Sequence, residues 1–531
     1  MLGKFRRPLE SHVIPFIVFG SAVVFCVYYA LHAGLDVNWD LRNYHIYSVY
    51  AFLHDRLVYD VAPGQRQTWT NPFGVLLPYL AVMFTKPVIG SVILAACSAA
   101  NILLIYLIAC QLFRPALLGG RWVVQCLAIL CAVAAGTGPV FLSLIGVSMN
   151  DNLVAACILA AVYFAIRDGS AVRQYFWSGL FLGLAVALKL TALIYIPGLA
   201  VAVLVLNPRR FHRQALAAAG GFLLTFIPFG ATWAVYMYRL FDNPLMPLYN
   251  DLFKSELYPS VALKDTRFIF HGVGDFFPKF SEIAAGAHPT TEVGMVDLRY
   301  VIFAIFLFVF VLVLLDSLLR RGRHRGLQDS IVELKKLLSL LIFVVTSLLL
   351  WGLMFGIGRY AVALEQLIPV CVIGLLAVIT QDARRLLIMS FASVALLLTT
   401  TVPANWARAK FSDSWFELAI PPELQAGDQL FVMLSGEPMA YVIPYLPATD
   451  RFVRFEGNLP ISADDGLGQR IKEIVAAQDG PIMTLSPESF DEETSSAALA
   501  TFGLKKEGDD CLYIDSNAGR LKSCRLIKSV N

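Results

Sequence analysis

The stretch "LDVNWDLRNYHIYSVYAFLHDRL" (35–57) places carboxylates, an arginine, a histidine and closely spaced tyrosines directly after the first long apolar run of the chain, 13–32. The apolar run has positive residues before it, exceeds the hydrophobic region of a signal peptide and shows no obvious small-residue cleavage site. It therefore predicts a retained membrane anchor. The polar stretch that follows then begins at the membrane surface.

The composition is that of an integral membrane protein, because 57% of the 531 residues are hydrophobic and only 15% are charged. A net charge of +3, without basic tracts among aromatic residues, does not suggest nucleic-acid binding. Apolar stretches of membrane-spanning length predict about eleven helices. The predicted spans are 13–32, 88–112, 122–142, 152–166, 175–188, 191–206, 214–237, 300–319, 337–356, 361–380 and 386–402. The expected fold class is mainly α, a polytopic transmembrane helical bundle.

Arginine and lysine concentrate in every second connection between the predicted spans, which identifies those connections as cytoplasmic. The basic positions are Arg114, Arg121, Arg167, Arg173, the loops 207–213 and 320–325, Lys335, Lys336 and the loop 382–385. The opposite connections, above all 33–87 and 238–299, are longer and richer in polar and aromatic residues. This alternation predicts a multi-pass membrane protein with its N-terminus in the cytoplasm and its C-terminus outside. In a bacterium, the membrane would be the inner (cytoplasmic) one.

The composition changes at about residue 403, which divides the chain into a membrane domain (1–402) and a soluble domain (403–531). In the second part, strand-like runs such as "QLFVML" and "PIMTLS" alternate with helix-like segments such as "GQRIKEIVAAQ". Such alternation predicts a small α/β domain. The charge pattern of the loops places this domain on the outer, periplasmic side.

Two of the nine cysteines lie in "CLYIDSNAGRLKSC" (511–524), where two strand-like runs flank an Asn-Ala-Gly turn. If the turn pairs Ser516 with Gly519, Cys511 stands opposite Cys524 in the hairpin. We therefore expect a cross-strand disulfide in an oxidising periplasm. Two free thiols are the alternative.

Two carboxylates are candidates for an outward-facing site. Asp40 closely follows the first anchor and precedes a stretch that predicts a helix lying on the membrane surface, with Tyr44 and His45 on it. The second candidate is Asp151 in "SMNDN" (148–152), at the outer end of another hairpin. A purely structural role is the alternative for both, since each carboxylate also suits the first turn of a helix.

Cationic side chains are predicted at the same level of the membrane. Lys189 in "ALKLTA" and Arg359, followed by Tyr360, in "GIGRYA" fall at the outer ends of predicted helices, and Arg42 lies within the surface stretch. Beside an acid, such cations are suited to bind a phosphate. Alternatively, Lys189 and Arg359 extend to phospholipid head groups, as basic residues at helix ends often do.

The order and sidedness of these motifs resemble the GT-C superfamily of polytopic glycosyltransferases. The resemblance covers about residues 13–400 and is carried by "WDLRNYHIYSVYAFL", a surface helix in "WTNPFGVLLPYLAVMF", the acidic loop "MNDN", "GLFLGLAVALKLTALIYIPG" and the late "GRYAVALEQLIP". Within the superfamily, the pattern is similar to enzymes that use lipid-phosphate sugars, such as protein O-mannosyltransferases and aminoarabinose transferases. Those relatives commonly have Glu after the Asp of the first loop, whereas Leu41 follows Asp40 here.

The resemblance implies transfer of a hexosyl or pentosyl unit from a polyprenyl-phosphate carrier to an envelope glycan, lipid or protein, with inversion of the anomeric carbon. Such chemistry needs a base for the acceptor hydroxyl and positive charge for the departing phosphate. We expect Asp40 to be the base, with a pKa raised by shielding from water, and Tyr44 and His45 to orient the acceptor or the base. We expect Asp151 to position the acceptor or, together with Asp40, to bind an optional divalent cation. The residues expected to bind the donor phosphate are Lys189, Arg359, Tyr360 and Arg42.

The outward segment 239–280 is aromatic and contains several prolines. It is a candidate lid over the site, with Lys254 and Arg267 near the donor or an anionic acceptor. An ordinary packed loop is the alternative.

Two other classes of function stay open. A polytopic transporter or lipid flippase would also carry a few charges within the membrane. Against it, the polar groups of this sequence gather at one face instead of the midplane, and no matching pair of interrupted helices is apparent. The third class is a noncatalytic assembly or sensor protein whose soluble domain binds a partner.

Overall fold

The computed structural model describes residues 10–115, 117–118, 120–169, 172–319, 331–380 and 382–529. The predicted basic loop 320–325 lies outside these residues. Helices dominate the first 400 residues. They are α1 (Glu10–Ala33), α2 (Ile46–Leu53), α3 (Leu76–Phe84), α4 (Pro87–Leu112), α5 (Arg121–Gly136), α6 (Pro139–Ser143), α7 (Asp151–Ile166), α8 (Val172–Leu188), α9 (Tyr195–Leu206), α10 (Phe211–Phe226), α11 (Thr232–Phe241), α12 (Asn250–Phe253), α13 (Phe276–Ala284), α14 (Arg299–Leu319), α15 (Leu334–Met354), α16 (Val362–Thr380) and α17 (Ala383–Thr400).

Each of the eleven predicted spans coincides with helix in the structure. Within the described residues, seven helical segments are long and apolar enough to cross a membrane, among them α4, α15 and the continuous stretch Pro208–Phe241 that contains α10 and α11. Four shorter apolar helices, α5, α7, α8 and the stretch Leu190–Leu206, fill the remaining predicted positions. The protein is a multi-pass membrane protein with a helical bundle.

Helix α16 forms the centre of the bundle, because every residue from Val362 to Val378 is buried. It packs against α5, α7, α14, α15 and α17. Polar groups also join it to its neighbours: Asn101 of α4 donates from Nδ2 to Gln366 Oε1 at 3.1 Å. The turn that begins α16, Gly358–Ala361, is therefore held firmly in place.

The predicted span 122–142 is broken into α5 and α6. Glu365 of α16 stabilises the break. Its carboxylate accepts hydrogen bonds from the backbone N–H groups of Val140 and Phe141 at the start of α6, each at 3.0 Å. Gly138 makes room for this carboxylate, because a Cβ at that position would lie 2.3 Å from Glu365 Oε2. Pro139 stands at the first position of α6 and has no backbone N–H, so no donor is left unpaired there.

The other side of the same break is held by Arg299, which is fully buried with Asp297. Its guanidinium donates to the carbonyl of Ala134 at 3.0 Å and to Thr137 Oγ1 at 3.2 Å, at the end of α5. A cation at the carbonyl end of one helix and an anion at the N–H end of the next both match the helix dipoles. The loop after α6, which carries Ser148 to Asp151, therefore starts from a fixed point.

The predicted α/β domain is present after α17. A short antiparallel pair, β1 (Leu35–Asp36) with β2 (Arg408–Ala409), joins its beginning to the first outer loop. The main sheet has five strands, β3 (Leu430–Met433), β4 (Arg451–Arg454), β5 (Ile482–Pro487), β6 (Leu504–Ile514) and β7 (Leu521–Lys528), in the order β4-β3-β5-β7-β6. Strands β4, β3 and β5 are parallel, and β7 is antiparallel to its neighbours. The helices are α18 (Gly466–Ala477) and α19 (Ser496–Thr501).

The α/β domain shares one hydrophobic core with part of the membrane domain: the loop 33–87 contributes side chains such as Tyr47 and Trp69, and α11 contributes Trp233. Backbone hydrogen bonds extend the sheet across the same boundary. The N–H of Val61 donates to the carbonyl of Phe452 at 2.9 Å, and the N–H of Arg454 donates back to the carbonyl of Val61 at 2.9 Å. The first outer loop thus adds a residue to the edge of β4.

The C-terminal hairpin has the register that the turn predicts. Cys511 and Cys524 are directly opposite partners, and the N–H of Gly519 donates to the carbonyl of Ser516 at 3.2 Å. The structure places the two sulfur atoms 2.00 Å apart as a disulfide. The hairpin forms the edge of the sheet away from β4.

Candidate active site

Four segments that are far apart in the chain meet at one end of the bundle. They are the turn after β1 with Asp40, the loop that ends at Asp151, the end of α8 with Lys189, and the turn before α16 with Arg359. Asp40 and Asp151 are only 6% and 4% exposed, so both carboxylates are withdrawn from solvent. A buried carboxylate needs a partner to stay ionised.

Arg359 is the partner of Asp40, with Arg359 Nη1 2.5 Å from Asp40 Oδ2. The same guanidinium lies 5.6 Å from the ring of Trp406, in cation–π geometry, and contacts Met149 Sδ at 3.6 Å. Trp406 is itself fixed by a hydrogen bond from Nε1 to Ser143 Oγ at 3.0 Å. The aromatic ring and the carboxylate therefore set the orientation of the arginine.

Lys189 is the partner of Asp151, with Lys189 Nζ 2.6 Å from Asp151 Oδ1. The ammonium group also lies 4.5 Å from the centre of the Tyr360 ring. Tyr360 is held by its backbone, because its carbonyl accepts the hydroxyl of Tyr195 at 2.7 Å. Two neighbouring residues of one turn thus take part in both ion pairs: Arg359 binds Asp40, and the ring of Tyr360 contacts Lys189.

The Lys189–Asp151 pair and Arg359 line a small cavity between α7, α9 and the start of α16. Asp151, Lys189, Arg359 and Tyr360 line its polar part, and the remaining walls are mostly aliphatic. Two polar atoms at this cavity are buried without a hydrogen-bond partner among the described residues: Arg359 Nε, a donor, and Asp151 Oδ2, an acceptor. The cavity therefore offers an unused donor and an unused acceptor to a polar ligand.

A second hydrogen-bond network fixes the segment that carries Asp40. Asp36 Oδ2 accepts the backbone N–H of Ser148 at 2.7 Å, and Asp36 Oδ1 accepts Asn38 Nδ2 at 2.7 Å. Ser148 Oγ is in turn 2.9 Å from His45 Nδ1 and accepts Asn38 Nδ2 at 3.1 Å. Asn38 also caps the following turn by accepting the N–H of Leu41 at 2.8 Å. The first outer loop and the loop before Asp151 are thus locked to each other.

The protonation states follow from burial and from neighbouring charges. Burial acts to raise the pKa of Asp40, but Arg359 and other nearby positive charges outweigh it and hold the pKa below its usual value of 3.8. The expected raised pKa is therefore wrong for this arrangement, because of the ion pair with Arg359. Burial lowers the pKa of His45 to about 4, so this imidazole is neutral at neutral pH. Burial, and then the charge of Asp40, raise the pKa of Tyr44 well above 10, so its hydroxyl keeps its proton.

Three cations named from the sequence have other surroundings. Arg42 donates from Nη1 to the carbonyl of Ala518 in the α/β domain at 2.8 Å. Arg267 is 62% exposed and pairs with Asp265 at 2.7 Å and with Glu292 at 3.3 Å. Lys254 is exposed. No contact of these three with Asp40 or Asp151 occurs within the described parts of the chain, so their assignment to the donor or acceptor stays a prediction.

The segment 239–280 lies on the same end of the bundle as the α/β domain. The hydroxyl of Tyr258 donates to the carbonyl of Pro460 in the α/β domain at 3.2 Å, and the N–H of Phe270 donates to the carbonyl of Gly352 at the outer end of α15 at 2.9 Å. It therefore bridges the α/β domain and the bundle. Whether it acts as a lid stays a prediction.

Sequence reasoning did not assign roles to several residues of the site. Trp406 and Arg408, just after the last membrane helix, carry no recognisable motif, although Arg408 donates to the carbonyls of Gly34 at 3.1 Å and Ile145 at 2.7 Å. Ser148 stands within "SMNDN", and its position beside Asp151 is the one signal that points to it. The other contacts depend on long-range packing.

A divalent cation is poorly matched to this donor set. Among the described residues, no group of three or more His, Cys, Asp or Glu side chains is placed to hold a metal ion. Asp40 and Asp151 each have a positive partner already. Two carboxylates beside two cations suit an anionic ligand better than Mg²⁺ or Ca²⁺, which prefer several oxygen ligands.

Among solved structures, one that resembles this chain does so over nearly its whole length. The structure is similar to ArnT from Cupriavidus metallidurans, crystallised bound to undecaprenyl phosphate, over 96% of this chain and 97% of that chain, with a TM-score of 0.42 and 12% sequence identity. No protein-family model and no curated protein matches the sequence. At this level of similarity, the geometry of the site has to carry any functional conclusion.

Proposed function

We propose that the protein is a glycosyltransferase that moves a hexosyl or pentosyl unit from a polyprenyl-phosphate carrier to an acceptor at the outer face of the membrane. The observation that carries the proposal is the cluster of two ion pairs, Lys189 with Asp151 and Arg359 with Asp40, beside a small cavity at one end of the membrane helices. Two cations beside two carboxylates at a membrane surface suit a reaction in which an anionic lipid is the leaving group and a hydroxyl is the nucleophile.

The cations account for binding of the donor phosphate. Arg359 retains an unused Nε–H at the cavity, and Lys189 is about 20% exposed there. A guanidinium and an ammonium group can each donate to phosphate oxygens, and the arginine can do so in a bidentate manner. The prenyl chain would lie in the membrane beside these helices.

In the proposed reaction, an acceptor hydroxyl attacks the anomeric carbon while the bond from that carbon to the phosphate oxygen breaks. The hydroxyl proton passes to Asp40, and the electron pair of the broken bond leaves with the lipid phosphate, whose charge Arg359 and Lys189 stabilise. One displacement of this kind inverts the anomeric centre. Asp40 is ionised beforehand, as a base must be.

The donor itself adjusts the strength of the base. When the phosphate takes over hydrogen bonds from Arg359, the carboxylate of Asp40 loses part of its positive partner. Its pKa then rises, because the nearby cation is what held it down. Asp151 Oδ2 is free to accept a hydrogen bond from a sugar or acceptor hydroxyl. Tyr44, with its proton retained, and neutral His45 orient the groups around Asp40.

The test uses purified protein in mild detergent, as wild type and as Asp40→Asn. Native mass spectrometry first identifies the lipids that each form retains, and undecaprenyl phosphate, the ligand of the ArnT crystal structure, serves as the added probe. We expect both forms to hold a polyprenyl-phosphate lipid and only the wild type to consume its sugar-loaded form. Retention of bulk phospholipid alone, even after adding the probe, would overturn the proposal.

Product stereochemistry and flux separate the proposal from its alternatives. An inverted anomeric centre in the product is expected, and a retained one would rule out the one-base mechanism. A transporter or lipid flippase would instead move labelled lipid across proteoliposome membranes without changing it. Such movement, unaffected by Asp40→Asn, would replace the transferase with a transporter.

A further inference from the structure

The carboxyl ends of parallel strands are the usual ligand-binding edge of an open α/β sheet. In this α/β domain the edge is occupied by a side chain from the membrane domain. Gln65 of the first outer loop donates from Nε2 to the carbonyl of Gly436, just after β3, at 2.8 Å, and accepts the N–H of Asn458, just after β4, at 2.6 Å on Oε1. The domain therefore binds a part of its own chain where a ligand would lie.

The fit around Gln65 is close. Gln65 is 1% exposed, and its backbone has a φ of 56°, in the left-handed region that non-glycine residues rarely adopt. On the facing loop, Gly457 has to be glycine, because a Cβ there would lie 2.3 Å from Gln65 Oε1. The cost of this backbone conformation is offset by the contacts of the side chain.

Gln65 also reaches the segment that carries Asp40. Its Nε2 is 3.3 Å from Asn43 Oδ1, and Asn43 Nδ2 donates to the carbonyl of Gly64 at 3.0 Å. Asn43 is fully buried and lies three residues after Asp40, within the π-helical turn Leu41–His45. A short chain of hydrogen bonds thus runs from both ligand-edge loops of the α/β domain to the turn behind Asp40.

A second contact holds the same turn at the same edge of the sheet, beside the strands farthest from β4. Arg42, next to Asn43, donates to the carbonyl of Ala518 in the turn between β6 and β7. The turn behind Asp40 is therefore bonded to both ends of this edge of the five-stranded sheet. These contacts agree with the hydrophobic core that the domain shares with the first outer loop.

We propose that the α/β domain positions Asp40 and that Gln65 is the positioning residue through which it does so. The catalytic part of this inference rests on the proposed function, whereas the mechanical link does not. In this proposal the domain holds Asp40 in place, and the carboxyl edge of its parallel strands is not a separate acceptor site. Gln65 touches no reacting group and acts through Asn43.

Hydrogen exchange tests the link without any need for turnover. The variants are Gln65→Ala, which removes all of the contacts, and Gln65→Glu, which keeps the shape and the acceptor but replaces the amide donor with an oxygen facing Gly436 and Asn43. Gln67→Ala is the matched control, because Gln67 accepts Asn458 Nδ2 at 3.2 Å but is not bonded to Asn43. We expect exchange of the amides of 41–46 to quicken about tenfold in both Gln65 variants and to stay unchanged in the control.

Amides in helix α5 provide the reference for general loosening of the fold. If 41–46 exchange no faster in Gln65→Glu, or only as much faster as α5, the positioning role is overturned. In the transfer assay, the Gln65 variants should lose kcat with little change in KM for the donor, and the acid limb of the pH profile should shift. An unchanged kcat and pH profile with quickened exchange would likewise overturn the positioning of the base. Absence of activity in the wild type would count against the proposed function alone.

Discussion

Arg359 lies 2.5 Å from Asp40, although 319 positions separate the two residues in the chain. The ion pair joins the first outer loop to the turn that begins the central helix α16. Both side chains are largely buried, with 14% and 9% of their surface exposed, so each is the main charge partner of the other. A ligand that binds Arg359 therefore acts directly on Asp40.

Replacing Asp40 by Asn should stop transfer while the protein stays folded. Asn is of the same size and accepts the hydrogen bond from Arg359, but it cannot take up the acceptor proton. We expect kcat to fall by a factor of about 10² to 10⁴, the usual contribution of a general base, with donor binding retained. Asp55→Asn is the control, since Asp55 is exposed in the same loop. Transfer at more than a tenth of the wild-type rate by Asp40→Asn would remove Asp40 from the role of base.

The Lys189–Asp151 pair should behave as one unit in stability measurements. Lys189→Met leaves the carboxylate of Asp151, 4% exposed, without a positive partner. We expect a loss of about 3 kcal/mol, in the range for one broken partner of a buried pair, seen as a lower Tm in detergent. The double variant Lys189→Met/Asp151→Asn should lose less than the sum of the single variants. Additive losses would show that the two residues do not interact.

Stability should fall between pH 6.5 and pH 4 because of His45. Below pH 6.5 the unfolded chain takes up a proton at this residue, whereas the buried imidazole resists protonation until about pH 4. Stability is thus complete above pH 6.5 and declines as the pH falls, by up to about 3 kcal/mol for a shift of this size. Unfolding of His45→Asn measured across this range should lack that part of the decline. Equal slopes for the variant and the wild type would contradict the assigned cause.

The disulfide predicts a definite count of thiols. Seven cysteines are free in the structure, and Cys511 and Cys524 are paired. Alkylation of the unfolded protein should therefore modify seven cysteines without reductant and all nine after reduction. Cys511→Ser/Cys524→Ser should lower the stability of the α/β domain by about 3 kcal/mol, the usual effect for a loop of this length. Nine modified cysteines before reduction would show two free thiols.

Local patterns in the sequence predict much of this architecture. The apolar stretches locate the helices, since a membrane helix needs a run of apolar residues whatever its neighbours are. Likewise, alternating runs predict the α/β domain, and the Asn-Ala-Gly turn predicts the register that sets Cys511 opposite Cys524. Charge type and position near the helix ends at one membrane level also singled out Asp40, Asp151, Lys189 and Arg359 as candidates.

The pairing of those candidates was decided by tertiary structure alone. Asp40 pairs with Arg359 and Asp151 with Lys189 because α16 lies at the centre of the bundle and brings its first turn to both carboxylates. The pKa of Asp40 is lowered as a result, against the expectation from burial. Tertiary packing also decided the helix break at Gly138, which depends on Glu365, and the contact of Gln65 with the α/β domain. A sequence pattern reports which side chains leave water, whereas the partner that each one meets there depends on packing between segments hundreds of residues apart.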